Sequence, residues 1–333
     1  MAEREGLGEF ELIARYLAPL AAAAPGAFGL RDDAATITPP AGSDLVVTTD
    51  AMVEGIHFLK SDGPERIARK LLRVNLSDLA AKGAVPIGYQ LILGLPTPLD
   101  EDWLARFAAG LAQDQQAFNF PLYGGDTTRS PSGLLLGVTA FGYVPGGQML
   151  RRNGAQAGDD LYVTGSIGDA ALGLEVKLNH RIFSSAAMMM FDSRLHLPTP
   201  RLAFGHGLIG HAHAALDVSD GLVQDAGHIA SASGLKVVID ADSVPLSLAA
   251  RSALADDPDL LKAILTGGDD YELLFTAAPD NAAAISELSR RVGLAVTKIG
   301  RLEAGAGVEV RDRAGQLVKL PKSGFQHFGG PVE

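Results

Sequence analysis

The chain has 333 residues, of which 47% are hydrophobic and only 6% aromatic, a length that corresponds to about two domains. Its 39 acidic against 28 basic side chains leave a net charge of −11, which argues against a nucleic acid or an anionic membrane held by bulk charge. Cysteine is absent, so disulfides, thiolate metal sites and a cysteine nucleophile are excluded.

The Glu-rich start has no apolar core region and is not expected to be a signal peptide. Ala21–Ala24 is broken by Pro25-Gly26, and no apolar run reaches membrane-spanning length, so a cytoplasmic protein is expected. Phe10, Leu12, Ile13, Tyr16 and Leu17 have helical spacing, with Pro25-Gly26 expected to end the helix. Leu45–Thr49 predicts a strand that stops at Asp50. An amphipathic helix is predicted from Pro64 to Lys82, a strand over Leu91–Leu95 and a helix over Glu101–Phe118. Pro121–Tyr123 leads into Gly124-Gly125-Asp126, and Leu134–Val144 predicts another strand. Close alternation of strands and helices indicates α/β layers.

Pro145-Gly146-Gly147 marks a domain boundary, giving an N-terminal domain over 1–146 and a C-terminal domain over 147–333. The second half begins with a strand over Leu161–Thr164, followed by a helical stretch that reaches toward Pro198-Thr199-Pro200. Met188-Met189-Met190 within it is read as packing filler. Ser219–Ser231 predicts a helix, Lys236–Asp240 and Leu273–Thr276 strands, and Ala282–Val292 a helix.

Aspartates recur where a charge is unwelcome: Asp32-Asp33, Asp50, Asp78, Asp126, Asp217 with Asp220, and Asp269-Asp270. Most follow an apolar run or a Gly pair, where an unpartnered carboxylate is costly. Many together point to divalent cations that prefer oxygen, and Mg²⁺ usually bridges to phosphate. On a helical wheel at about 100° per residue, Asp78 shares a sector with Ile67, Leu71 and Val74, opposite Arg66, Arg69, Arg73 and Ser77. Asp78 is therefore expected on the packed side; the plainer alternative is a carboxylate capping a neighbouring element.

Asp50 reads either as a ligand at a strand end or as a turn-starting residue. Asp126 follows a Gly pair that lets backbone approach a ligand, or else begins a turn. Ser219 or Asp220 is expected to N-cap its helix, which leaves room for a phosphate or metal at the same helix end. Asp269-Asp270-Glu272 reads as a ligand block or a solvated loop, and His57 by default as a structural histidine.

Gly205-His206-Gly207-Leu208-Ile209-Gly210 fits a dinucleotide fingerprint but follows no β-type strand and is set aside. His211 and His213 are read as surface residues. No Walker-type P-loop and no G-x-S-x-G serine elbow is present.

In order and wording these blocks resemble the thiamine-monophosphate kinase family, within the superfamily of aminoimidazole ribonucleotide synthetase. The pieces are Gly8-Glu9-Phe10-Glu11-Leu12-Ile13, Asp32-Asp33-Ala34-Ala35, Thr49-Asp50 with His57-Phe58, and Val74-Asn75-Leu76-Ser77-Asp78-Leu79-Ala80. Further along come Gly124-Gly125-Asp126-Thr127-Thr128, Asp217-Val218-Ser219-Asp220-Gly221-Leu222 and Gly267-Gly268-Asp269-Asp270-Tyr271-Glu272-Leu273.

The resemblance implies an α/β, two-domain PurM-like fold: an N-terminal mixed sheet with helices that binds ATP and Mg²⁺ and dimerises, and a C-terminal α/β domain. It implies ATP-dependent phosphorylation of thiamine monophosphate to thiamine diphosphate, beside the charge and hydropathy that argue against a nucleic-acid or membrane partner. By matching position, Asp33, Thr48, Thr49, Asp50, Asp78, Asp126, Asp217 and Asp220 would hold Mg²⁺, with Asp50, Asp78 and Asp126 central to catalysis. Gly125, Asp126, Arg152 and Ser219 would contact ATP; His57, Asp269 and Phe325 would contact thiamine monophosphate.

The family usually has Gly where Arg31 stands, Glu where Asp269 stands, and Trp or Tyr where Phe325 stands. The rival readings are another ATP-using enzyme of the superfamily, or a non-catalytic Mg-ATP-binding protein. Within the superfamily, the absent cysteine disfavours selenide-water dikinase. The Gly-Glu-Phe and Asp269–Glu272 blocks disfavour aminoimidazole ribonucleotide synthetase.

Overall fold

The computed structural model describes residues 8–98, 100–178, 180–320 and 324–325. The chain divides into two compact units, Met1–Leu79 with Ala84–Gly147, and Ala80–Gly83 with Gln148–Glu333.

Unit 1 opens on a helical path that changes type as it goes: α1 (Glu9–Leu12), a π-turn over Ile13–Leu17 and a 3-10 turn over Ala18–Ala21. The expected helix therefore stops before Pro25, because Pro19 already cannot donate to the turn behind it. Pro25 instead starts a second 3-10 stretch, Pro25–Leu30.

The unit then builds β1 (Ser43–Val53), α2 (Pro64–Ala81), β2 (Val85–Leu95), α3 (Glu101–Phe118), β3 (Leu122–Arg129) and β4 (Leu135–Pro145). Its four-stranded sheet has the order β1-β4-β2-β3. β4 runs antiparallel to β1 and to β2, and β2 runs parallel to β3. Side chains alternate across it, as the strand period requires: Val46, Met52, Leu91, Leu93, Leu136 and Val138 are buried, while Leu45, Val47, Ile92 and Leu135 are exposed.

β1 does not stop at Asp50. Pairing continues from Asp50↔Val138 to Val53↔Leu135, so Asp50 lies inside the strand rather than at its end. The Gly124-Gly125-Asp126 block likewise lies within a strand, β3.

The side of α2 bearing Arg69, Arg73 and Ser77 is also packed. Asp114 of α3 is buried and accepts from Arg69 Nε at 2.9 Å and from Arg73 Nε at 2.5 Å. Gly110 permits this approach, since a Cβ there would sit 2.5 Å from the Glu65 carbonyl oxygen.

Unit 2 contains β5 (Asp160–Thr164), α4 (Asp169–Lys177), α5 (Ser185–His196), α6 (Leu202–Gly207), β6 (Ala214–Asp217), α7 (Leu222–Ser233) and β7 (Lys236–Asp240). It continues with α8 (Leu248–Asp256), α9 (Leu260–Thr266), β8 (Leu273–Ala277), α10 (Ala282–Val292), β9 (Val296–Glu303) and β10 (Gly307–Arg311). The six-stranded sheet has the order β10-β7-β9-β5-β8-β6.

Both faces of this sheet are covered. Leu161, Val163, Leu216 and Leu274 join one core with Ile229 and Ile264; Tyr162, Ala215, Leu273 and Phe275 join the other with Phe204 and Leu288. That explains strands that read as unbroken apolar runs. Met190 packs against the first core, whereas Met189 is exposed.

The dinucleotide-like Gly205-His206-Gly207 is helical, in α6. A Cβ on Gly205 would lie 1.9 Å from the Ala80 carbonyl oxygen, so this glycine serves helix packing. Among the described residues, no helix is long and apolar enough to cross a membrane.

Candidate active site

In unit 1 the carboxylates gather where α2 meets β1. Thr48 and Asp50 lie on one face of β1 and Thr49 on the other, by strand alternation. Thr48 Oγ1 donates to Asp78 Oδ2 at 2.5 Å. The Asp50 backbone N–H donates to Asn75 Oδ1 at 3.2 Å, and Asn75 Nδ2 donates to the Leu71 carbonyl at 2.9 Å. Buried Asn75 thus locks one turn of α2 onto β1, a role that the Asn-Leu-Ser-Asp block contained but that its residues did not disclose.

Burial first, and then the Asp78 charge, push the Asp50 carboxyl from 3.8 up to about 6. Arg69 and Arg73 cannot relieve it, because both are committed to Asp114. Two half-buried carboxylates held together with no ion-pair partner among the described residues suit a hard cation bound through oxygen.

Other candidates of unit 1 stand apart. Thr49 Oγ1 donates to Thr139 Oγ1 at 3.0 Å on the opposite face of β1. Asp33 is exposed and its N–H donates to Asp32 Oδ1 at 2.8 Å. Asp126 is exposed on β3, in register with Ile92. No hydrogen bond joins Asp33 or Asp126 to Asp50 or Asp78 among the described residues.

Gly125 is required by its own sheet: a Cβ would lie 1.8 Å from the Leu91 carbonyl oxygen, at φ 152°. The close approach expected for a ligand is therefore made by β2. His57 has the structural bond expected by default, accepting the Val53 N–H at Nδ1 over 3.0 Å. In the neutral ring the proton then sits on Nε2.

In unit 2 the turn from β6 to α7 collects Asp217, Ser219, Asp220, Asp269 and Phe325. Neither Ser219 nor Asp220 caps α7. The helix starts later, at Leu222, with Gly221 as N-cap at φ 120°. The N–H groups of the loop itself go to buried Asp225, whose Oδ2 accepts those of Ser219 and Asp220 at 3.0 Å each and of Gly221 at 3.1 Å. Burial, then Asp217 and Asp220, push Asp225 up to about 8, opposed by its bonds from the Asp220 and Gly221 N–H groups. The only sequence signal was an aspartate one turn inside a helix that begins on glycine.

Asp220, Asp225 and His228 offer ligand atoms that all lie within 4.8 Å of one another. Mg²⁺ favours the carboxylates of this set over the imidazole.

The Asp269 block is folded against the same turn rather than solvated. Asp269 N–H donates to the Ser219 carbonyl at 2.9 Å and Tyr271 N–H to the Val218 carbonyl at 2.8 Å. Both residues are left-handed, at φ 68° and 51°, a strained state that the surroundings must hold. Asp270 holds it from one side by accepting the Gly168 N–H with both oxygens, at 3.0 and 2.8 Å. Burial pushes its carboxyl well above the usual range. Glu272 holds it from the other, accepting from Thr164 Oγ1 at 2.6 Å and from Arg201, Nε at 2.7 Å.

Phe325 N–H donates to the Asp220 carbonyl at 3.0 Å, which brings the C-terminal aromatic to the loop. Exposed Arg152 follows Arg151, whose carbonyl accepts the Ala215 N–H of β6 at 2.8 Å.

The AIR synthase related protein N-terminal domain model matches residues 31–144 and the corresponding C-terminal domain model residues 156–313. The thiamine-monophosphate kinase of Caulobacter vibrioides is 42% identical over 322 residues, 96% of this chain and 90% of that protein.

The chain belongs to the thiamine-monophosphate kinase family. Two solved structures of thiamine-monophosphate kinases share its PurM-like fold. The enzyme of Stenotrophomonas maltophilia K279a superposes with a TM-score of 0.78 at 45% identity, over 84% of this chain and 89% of that one. AaThiL complexed with AMPPCP and TMP gives 0.77 at 32% identity, over 98% and 99%.

Proposed function

We propose that this chain transfers the terminal phosphoryl group of ATP directly to thiamine monophosphate, giving thiamine diphosphate. The observation that carries the reading is the Asp50–Asp78 pair, two carboxylates held together with no ion-pair partner among the described residues. An acceptor phosphate has its second pKa at about 6, so the attacking oxygen is already largely ionised and no general base is needed. The difficulty is the meeting of two polyanions, and Mg²⁺, when bound, supplies the positive charge that neutralises and aligns them.

In unit 1 the proposed Mg²⁺ ligands are Asp33, Thr48, Thr49, Asp50, Asp78 and Asp126; in unit 2 they are Asp217 and Asp220. Thr49 would serve through its backbone, since its hydroxyl faces away from Asp78. Gly125, Asp126, Arg152 and Ser219 are assigned to ATP, with the Arg152 guanidinium suited to phosphate oxygens. His57 would offer Nε2–H to the acceptor, Asp269 a carboxylate from its left-handed position, and Phe325 an aromatic face.

A homodimer through unit 1 fits the exposed apolar Leu45, Val47, Ile92 and Leu135, which share the open face of the sheet. Incubation of the purified protein with ATP, Mg²⁺ and thiamine monophosphate tests the activity. Thiamine diphosphate is expected, whereas ATP binding without product would reduce the chain to a binding protein.

A further inference from the structure

Gln224 sits in the first turn of α7, one residue before Asp225, and its amide is turned back onto the loop. Its Nε2 donates both to Asp220 Oδ2 at 3.1 Å and to the Phe325 carbonyl at 2.6 Å. The Phe325 N–H donates in turn to the Asp220 carbonyl at 3.0 Å. Phe325 is thereby held at both its backbone groups, one directly by Asp220 and one through Gln224.

The preceding residue closes the fit. A Cβ on Gly324 would lie 2.5 Å from the Asp220 carbonyl oxygen and 2.6 Å from Gln224 Cβ, so only glycine lets the chain lie this flat on the loop. The ring of Phe325 remains exposed, so the clamp acts on the backbone and leaves the aromatic face open.

We propose that Gln224 is a positioning residue that clamps Phe325 to the Asp220 loop, so that the loop assigned to metal also orders the aromatic that receives the phosphate acceptor. This rests on the reading of Phe325 as an acceptor contact. Phe325 is 43% exposed, and an aromatic whose backbone is not fixed must be ordered on each binding event. The Gln224 amide removes that cost in advance. Its Oε1 is buried with no donor among the described residues, and both bonds that the side chain makes to the loop run from its NH₂ group.

The test is a double-mutant cycle of Gln224→Met and Phe325→Ala in the full chain, with steady-state kinetics against thiamine monophosphate. Methionine keeps length and helix propensity, removes both hydrogen bonds and carries no amide oxygen into the buried site; the Phe325 carbonyl it releases lies at an exposed position where water can reach it, so the melting temperature should stay close to wild type. Loss of two hydrogen bonds, one charge-assisted, predicts a KM for the acceptor raised about tenfold with kcat changed less than about threefold. In the Phe325→Ala background the same change should alter KM by less than about twofold.

An unchanged KM in Gln224→Met, or an equal rise in both backgrounds, overturns the clamp while leaving Phe325 as an acceptor contact. If Phe325→Ala by itself leaves KM unaltered, the reading of Phe325 fails, and the clamp fails with it.

Discussion

Asp50→Asn should make the metal-free protein more stable while removing its activity. Burial and the Asp78 charge move this carboxyl from 3.8 to about 6, and a shift of that size costs the ionised form about 3 kcal/mol. Asp50 is half-buried rather than sealed, so solvent screening brings the expected cost to about 1–3 kcal/mol. The sign follows from proton binding. Between 3.8 and about 6 the folded state holds more protons at Asp50 than the unfolded state does. Stability therefore falls as pH rises through that window, and the full penalty is present above it.

Asparagine keeps the shape and carries no charge. In chelator at pH about 7.5, Asp50→Asn should melt about 2–6 °C above wild type. The gap should narrow as pH falls from about 6 toward about 4. Added Mg²⁺ should raise the melting temperature of wild type more than that of the variant, and turnover should fall by about a hundredfold or more. Thermal melts with and without Mg²⁺ across this pH range, beside a coupled kinase assay, give every value. A variant less stable than wild type in chelator at neutral pH would refute the account of Asp50 as an uncompensated carboxylate.

Other outcomes follow from the same geometry. Asp114→Ala leaves Arg69 and Arg73 without their shared buried acceptor and should destabilise unit 1 by about 3–5 kcal/mol in a denaturant titration. Gly125→Ala places a Cβ 1.8 Å from the Leu91 carbonyl oxygen, so soluble yield and melting temperature should both drop; a wild-type melt would contradict the stated pairing of β2 and β3. Glu272→Gln weakens the Arg201 and Thr164 bonds behind the strained Asp269–Tyr271 segment, and should raise KM for the acceptor more than KM for ATP. Val47→Lys places a charge on the open sheet face and should shift the protein toward monomer in analytical ultracentrifugation.

Much of the chemistry could be read directly from the chain. The apolar sector of α2 pointed Asp78 inward, because helical spacing alone sets that direction, and the acidic blocks in their order resemble one family. Strand ends were less legible. Asp50 reads as a stop, yet β1 passes through it because β4 supplies partners as far as Val53↔Leu135.

Tertiary structure alone decided what each polar group meets. Ser219 and Asp220 resemble helix caps, but their N–H groups are taken by Asp225, and α7 begins at Leu222. Arg69 and Arg73 lie opposite the apolar sector of α2, and Asp114 of α3 supplies their shared partner. The Gly pair did not disclose that the Leu91 carbonyl lies where a Cβ on Gly125 would go. Sequence spacing sets the direction in which a side chain leaves its own element. Which donor, acceptor or backbone waits there depends on residues 41 or more positions away in the Arg73–Asp114 case, and only packing brings those together.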